Sequence, residues 1–74
     1  RAALDGGETG LAVIEAVVQD AAMALKPGGF LFLEIGDTQA EAVSKILADA
    51  GFEAISVTQD LAHRDRVVSG CLRG

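Results

Sequence analysis

The run Phe30-Leu31-Phe32-Leu33-Glu34-Ile35 constrains this chain more than any other feature. Pro27-Gly28-Gly29 precedes it and Gly36-Asp37 follows it, so both ends are marked by turn residues. The run is too short for a stable helix, and no polar alternation marks a wet side. It predicts a strand apolar on both faces, as in parallel sheets covered by helices on both sides. Such a strand wants partners along both edges.

The rest of the chain supplies few of them. Leu11, Ile14, Val18 and Leu25, with Ala21 and Ala22, recur at helical spacing. They predict a helix from about Gly10 to Leu25, N-capped by Thr9, after a loop in which Asp5-Gly6-Gly7 is a turn. Lys26-Pro27-Gly28-Gly29 stops that helix, because proline disfavours the α region at the residue before it. After the apolar strand, Thr38 and Glu41 have the spacing of a capping box. The helix they would open has an inner stripe of Ala40, Val43, Leu47 and Ala50 widened by Ile46, an expected surface pair Glu41–Lys45, and Gly51 as its left-handed terminator. Phe52–Gln59 and Arg66–Leu72 read as strands joined by a loop at Asp60–Asp65, short enough to make the pair antiparallel.

The order helix, strand, helix, strand, strand is that of an α/β fold, with the strand–helix–strand unit expected to be a right-handed crossover. It offers the apolar strand at most two partner strands and two helices, leaving a long apolar edge open. Residues 1–74 are therefore expected to be the C-terminal part of a larger domain, and the start at Arg1 rather than Met fits a cut N-terminus. The alternative is that another chain, or a second copy, covers the edge.

Composition narrows the function classes. A chain this short buries only about 60% of its unfolded surface, and no staple reinforces it: Cys71 is the single cysteine, and no Cys/His cluster is spaced for a metal. A net charge of −5 argues against nucleic-acid backbones and anionic membrane surfaces. No apolar segment approaches the roughly 18 residues of a membrane span, and no signal peptide is visible. The lone thiol fits a reducing cytoplasm.

Individual residues have mostly structural readings. Neither glycine-rich stretch matches a phosphate-binding spacing, and the second leads into a strand rather than a helix. His63 has no partner at a readable spacing and reads as an exposed loop residue. Arg64 and Arg66 are expected to pair with Asp60 and Asp65, and Cys71 to be an inert core thiol. Glu34, inside the apolar strand, is expected to be a buried, hydrogen-bonded structural carboxylate, with a site role as the alternative.

The strings Leu4-Asp5-Gly6-Gly7-Glu8-Thr9-Gly10-Leu11, Leu25-Lys26-Pro27-Gly28-Gly29, Leu33-Glu34-Ile35-Gly36, Ala50-Gly51-Phe52 and Asp60-Leu61-Ala62-His63-Arg64-Asp65-Arg66-Val67 follow one another in order. Together they resemble the C-terminal third of the release factor glutamine methyltransferases. The resemblance implies methyl transfer from S-adenosylmethionine to the side-chain amide of the glutamine in the Gly-Gly-Gln tip of peptide-chain release factors. It also implies a seven-stranded class I (Rossmann-like) methyltransferase sheet whose last strand inserts antiparallel between the fifth and sixth. The family's glycine-rich cofactor loop, acidic ribose contact and Asn-Pro-Pro-Tyr motif do not occur here. No catalytic, cofactor-binding or metal-binding residue is therefore expected in this chain, and alone it should be inactive. The resemblance leaves Asp5, Gly6, Gly7 and Glu34 as substrate-pocket candidates. It also departs from this chain at His63, where the family often has glycine, which puts the local turn geometry in question. Two rival readings are another class I methyltransferase and a non-catalytic α/β module that dimerises through its open edge.

Overall fold

A computed structural model describes the backbone of residues 7–73 and the side chains of residues 11–73. Two helices and three strands follow one another as α1 (Gly7–Ala24), β1 (Phe30–Glu34), α2 (Ala40–Asp49), β2 (Phe52–Gln59) and β3 (Asp65–Leu72). The predicted order holds. α1 extends further back than its periodicity indicates, so Thr9 lies within the helix and is not its N-cap. Gly7, expected in a turn, is likewise helical, whereas Asp5 and Gly6 lie outside the described residues.

The turn into β1 forms as its residues dictate. Gly29 N–H donates to the Lys26 carbonyl at 2.9 Å, with Pro27 and Gly28 at the corners. Gly28 has φ +89°, which is the type II arrangement of proline followed by a left-handed glycine. Gly51, at φ +100°, ends α2 in the predicted manner. The other end of α2 departs from expectation. The helix opens at Ala40 behind Gln39, with no side-chain cap. The Gln39 Oε1 instead accepts from Gly36 N–H at 2.8 Å, tightening the loop before the helix. Thr38 and Glu41 therefore form no capping box. Lys45 also chooses a different partner, reaching Asp49 at 3.5 Å.

The three strands form one sheet in the order β1-β3-β2, with β3 antiparallel to both neighbours. β1 and β2 thus run parallel to each other, and the final strand of the hairpin sits between them. α2 packs on β2 and β3, and α1 packs on α2. The core is Ile14, Val18, Ile35, Val43, Leu47, Phe52 and Val68, drawn from both helices, β2, β3 and the residue that follows β1, and built mainly of aliphatic side chains. Burying each contributes on the order of 1.5–3 kcal/mol. The helix stripes predicted from periodicity supply four of these seven.

Register decides which face each strand residue takes. Leu31, Leu33 and Leu72 pack against the core beneath the helices. Their neighbours point the other way, in cross-strand rows Phe30–Cys71–Glu53, Phe32–Ser69–Ser56 and Glu34–Val67–Thr58. Nothing within the described residues covers these rows: Phe30 is 59% and Phe32 67% exposed. Burial of β1 on both faces, expected from its composition, is thus met on one face only. The two rings stack on each other, centroids 6.3 Å apart.

Candidate functional site: the carboxyl end of the sheet

Because β1 and β2 are parallel and β3 opposes them, the carboxyl ends of the first two and the start of the third share one end of the sheet. Open α/β sheets bind ligands at that end of their parallel strands. Glu34 closes β1 there, Gly36 and Asp37 follow it, and the Asp60–Arg64 loop joins β2 to β3.

Asp60 organises this loop. Its Oδ1 accepts from Ala62 N–H at 2.8 Å and Arg64 N–H at 3.0 Å, while Oδ2 accepts from Arg66 Nε at 2.9 Å. Arg64 Nε approaches the same oxygen at 3.5 Å. The Arg66 guanidinium, then the loop amides and the Arg64 charge, hold the Asp60 carboxyl at about 2, well below its ordinary value. A group so acidic stays ionised at neutral pH and is a poor general base; it is a clamp. In return, Asp60 raises the pKa of Arg66, and Asp37 across the β1 end adds to that.

The pairing predicted for the two arginines is therefore half met. Both reach Asp60, while Asp65 accepts from Gln59 Nε2 at 3.0 Å instead. The signal that Asp60 would hold the loop was present in the sequence: an aspartate two and four residues before loop amides is the Asx-turn arrangement. His63 is exposed, as predicted, and sits at φ +64°, the left-handed region that glycine enters freely. The departure from glycine at this position is thus a side chain carried in glycine's conformation.

Glu34 corrects its expectation. It is exposed and lies on the uncovered face, not buried in a hydrogen-bonded slot, because the period-2 alternation that buries Leu33 turns its neighbour outward. Cys71 is half-buried on the same open face beside Phe30, with its Sγ 3.9 Å from the Leu72 carbonyl, and so is not a core thiol. Of the four pocket candidates, Glu34 stands at the carboxyl end, Gly7 begins the described part of α1, and Asp5 and Gly6 fall outside the described residues.

A shallow groove lies elsewhere, between α1 and α2, floored by Leu11, Ala12, Ala42 and Ile46 and rimmed by Glu15, Lys45 and Asp49. It contains none of the candidates. Among the described residues no group of His, Cys, Asp or Glu is placed to hold a metal ion, and no helix is long and apolar enough to cross a membrane.

No family model matches the chain. Individual proteins do. It is 44% identical over 66 residues to the release factor glutamine methyltransferase of Thermodesulfovibrio yellowstonii, a match covering 89% of this chain. It is 41% identical over 70 residues to that of Caulobacter vibrioides, and 44% identical over 70 to that of Cereibacter sphaeroides, each covering 95% of the chain. This chain is a relative of the release factor glutamine methyltransferases. It spans about a quarter of the length of the curated relatives it matches. The α/β order, the antiparallel last hairpin and the insertion of β3 between β1 and β2 are those the resemblance to these methyltransferases implies.

Proposed function

We propose that this chain forms the C-terminal part of an S-adenosylmethionine-dependent methyltransferase that modifies the Gly-Gly-Gln glutamine of peptide-chain release factors at its amide nitrogen. The observation that carries this reading is identity of 41–44% running along nearly the whole chain. The sheet order with β3 between β1 and β2 supports it. Acting on release factors, such an enzyme would work in the cytoplasm.

An amide nitrogen is a weak nucleophile, so the reaction depends on holding it in line with the electrophilic methyl group that the cofactor supplies. In this reading the cofactor cradle lies outside the described residues. Gly28 turns the chain into a strand, and Gly51 ends a helix. The Gly36 amide beyond β1 is already taken by Gln39. This chain's part is therefore to fix one end of the sheet. There Glu34, with Asp5, Gly6 and Gly7, would border the substrate pocket, the Glu34 carboxylate accepting an N–H from the incoming peptide.

The test is a chimera in which this chain replaces the C-terminal quarter of the Thermodesulfovibrio yellowstonii methyltransferase. Transfer of labelled methyl groups from S-adenosylmethionine to a release factor is expected, and none to the same factor with its Gly-Gly-Gln glutamine replaced by alanine. A folded chimera that binds S-adenosylmethionine yet methylates neither would overturn the reading.

A further inference from the structure

The connection between β2 and β3 is longer than the two residues a hairpin needs, and it is firmly held. Besides the two amides and the Arg66 guanidinium that the Asp60 carboxylate binds, Asp60 N–H donates to the Arg64 carbonyl and His63 N–H to the Asp60 carbonyl, each at 2.9 Å. Nothing in the loop packs inward: Leu61, Ala62, His63 and Arg64 are all exposed. Among the described residues no large apolar side chain is more exposed than Leu61, so it adds nothing to the stability of the fold that carries it. The left-handed backbone at His63 lies in the same loop, and conformations of that cost collect at functional sites.

Position gives these features a use. The loop stands at the carboxyl end of β1 and β2, the end that Glu34 closes. It also stands at the rim of the sheet, because β2 is an outer strand whose edge is blunted by the bulge in which Ala54, at φ +53°, and Ile55 oppose Gly70. Arg64 approaches Asp60 Oδ2 at 3.5 Å, an oxygen that Arg66 already holds at 2.9 Å, and its side chain stays 54% exposed. An apolar tip beside a cationic donor has the composition of a protein interface, with an apolar centre and a polar rim. A loop already fixed makes such a contact without the cost of ordering it.

We propose that Leu61 and Arg64 form a docking point for the protein substrate, on its surface outside the Gly-Gly-Gln loop. The inference rests on the function proposed above, and adds a contact that sets affinity for the whole substrate protein and takes no part in the chemistry at the glutamine. The occupant follows from shape. A projecting, fully exposed tip encloses no small molecule. A folded substrate can bring its glutamine to the carboxyl end only if the surface around that glutamine comes down on the rim, where this loop stands. Leu61 meets an apolar patch of that surface, and Arg64 donates to its carbonyl or carboxylate oxygens.

The test uses the same chimera and an intact release factor, with methyl transfer and equilibrium binding measured separately. Leu61→Asp and Arg64→Glu should each raise the KM for the release factor at least fivefold and weaken its binding to the same degree. Their kcat and their KM for S-adenosylmethionine should stay unchanged, and Leu61→Met should stay within twofold of the parent. Because Leu61 is fully exposed, its variants should melt at the parent's temperature. An active chimera whose KM ignores both substitutions, or whose kcat falls at unchanged KM, would overturn the docking point and leave the function standing. An inactive chimera whose binding of the release factor is weakened by Leu61→Asp would support the docking point against the function. A chimera that binds no release factor at all would overturn both. Should Leu61→Asp instead dissolve a dimer and leave release-factor binding intact, the occupant is a second copy and the proposal fails.

Discussion

Arg66 donates its Nε to Asp60 Oδ2 at 2.9 Å, tying the first residue after β2 to the second residue of β3. The same carboxylate holds two loop amides, so one ionised side chain closes the whole connection. Its folded-state pKa of about 2 lies below the ordinary 3.8. The stability it contributes is therefore complete above about pH 4 and lost as pH falls toward 2. Thermal melts of the chain and of Asp60→Asn should differ at pH 6, with the variant less stable, and converge near pH 2. A difference that persists unchanged across that window would show that ionisation of Asp60 does not matter.

His63 holds a left-handed backbone that costs a non-glycine residue roughly 1 kcal/mol or more. Glycine removes that cost but loses more entropy on folding, by about 0.5–1 kcal/mol. His63→Gly is expected to be neutral or to stabilise by up to about 1 kcal/mol in urea unfolding. His63→Val, branched at Cβ, should destabilise by about 1–3 kcal/mol.

Gly70 faces a different constraint. A Cβ there would lie 3.1 Å from the Phe52 Cβ and 3.5 Å from Ile55 Cγ1, and Phe52 is fully buried. The Ile55 contact is an ordinary one, but the Phe52 Cβ, held at the backbone of a fully buried residue, must shift to admit it. Gly70→Ala should cost about 1–3 kcal/mol by overpacking, readable as a lower urea midpoint with an unchanged slope.

Leu47 is fully buried where α2 meets the sheet, whereas Leu61 is fully exposed at the loop tip. Leu47→Ala should cost about 2–5 kcal/mol, and Leu61→Ala should stay within about 0.5 kcal/mol of the parent. Equal effects in denaturant titrations would contradict the packing described.

Much of this was legible from local pattern. The spacing of Ile14, Val18, Val43 and Leu47 placed both helices and their inner faces. Pro27-Gly28-Gly29 and Gly51 marked the turns that φ values of +89° and +100° bear out. The helix starts were not legible. Thr38 and Glu41 had the letters of a capping box, but the Gln39 amide took the Gly36 N–H first, a competition between short-range hydrogen bonds that spacing cannot rank.

The sequence by itself determined which segments are helical and which extended, because period and turn chemistry are properties of neighbours along the chain. Only the tertiary structure decided the fate of the apolar run: its composition asked for cover on both faces, and the fold provides it for Leu31 and Leu33 while leaving Phe30, Phe32 and Glu34 outside. Burial depends on what packs from elsewhere, and two helices on one side of a three-stranded sheet have no means of reaching the other.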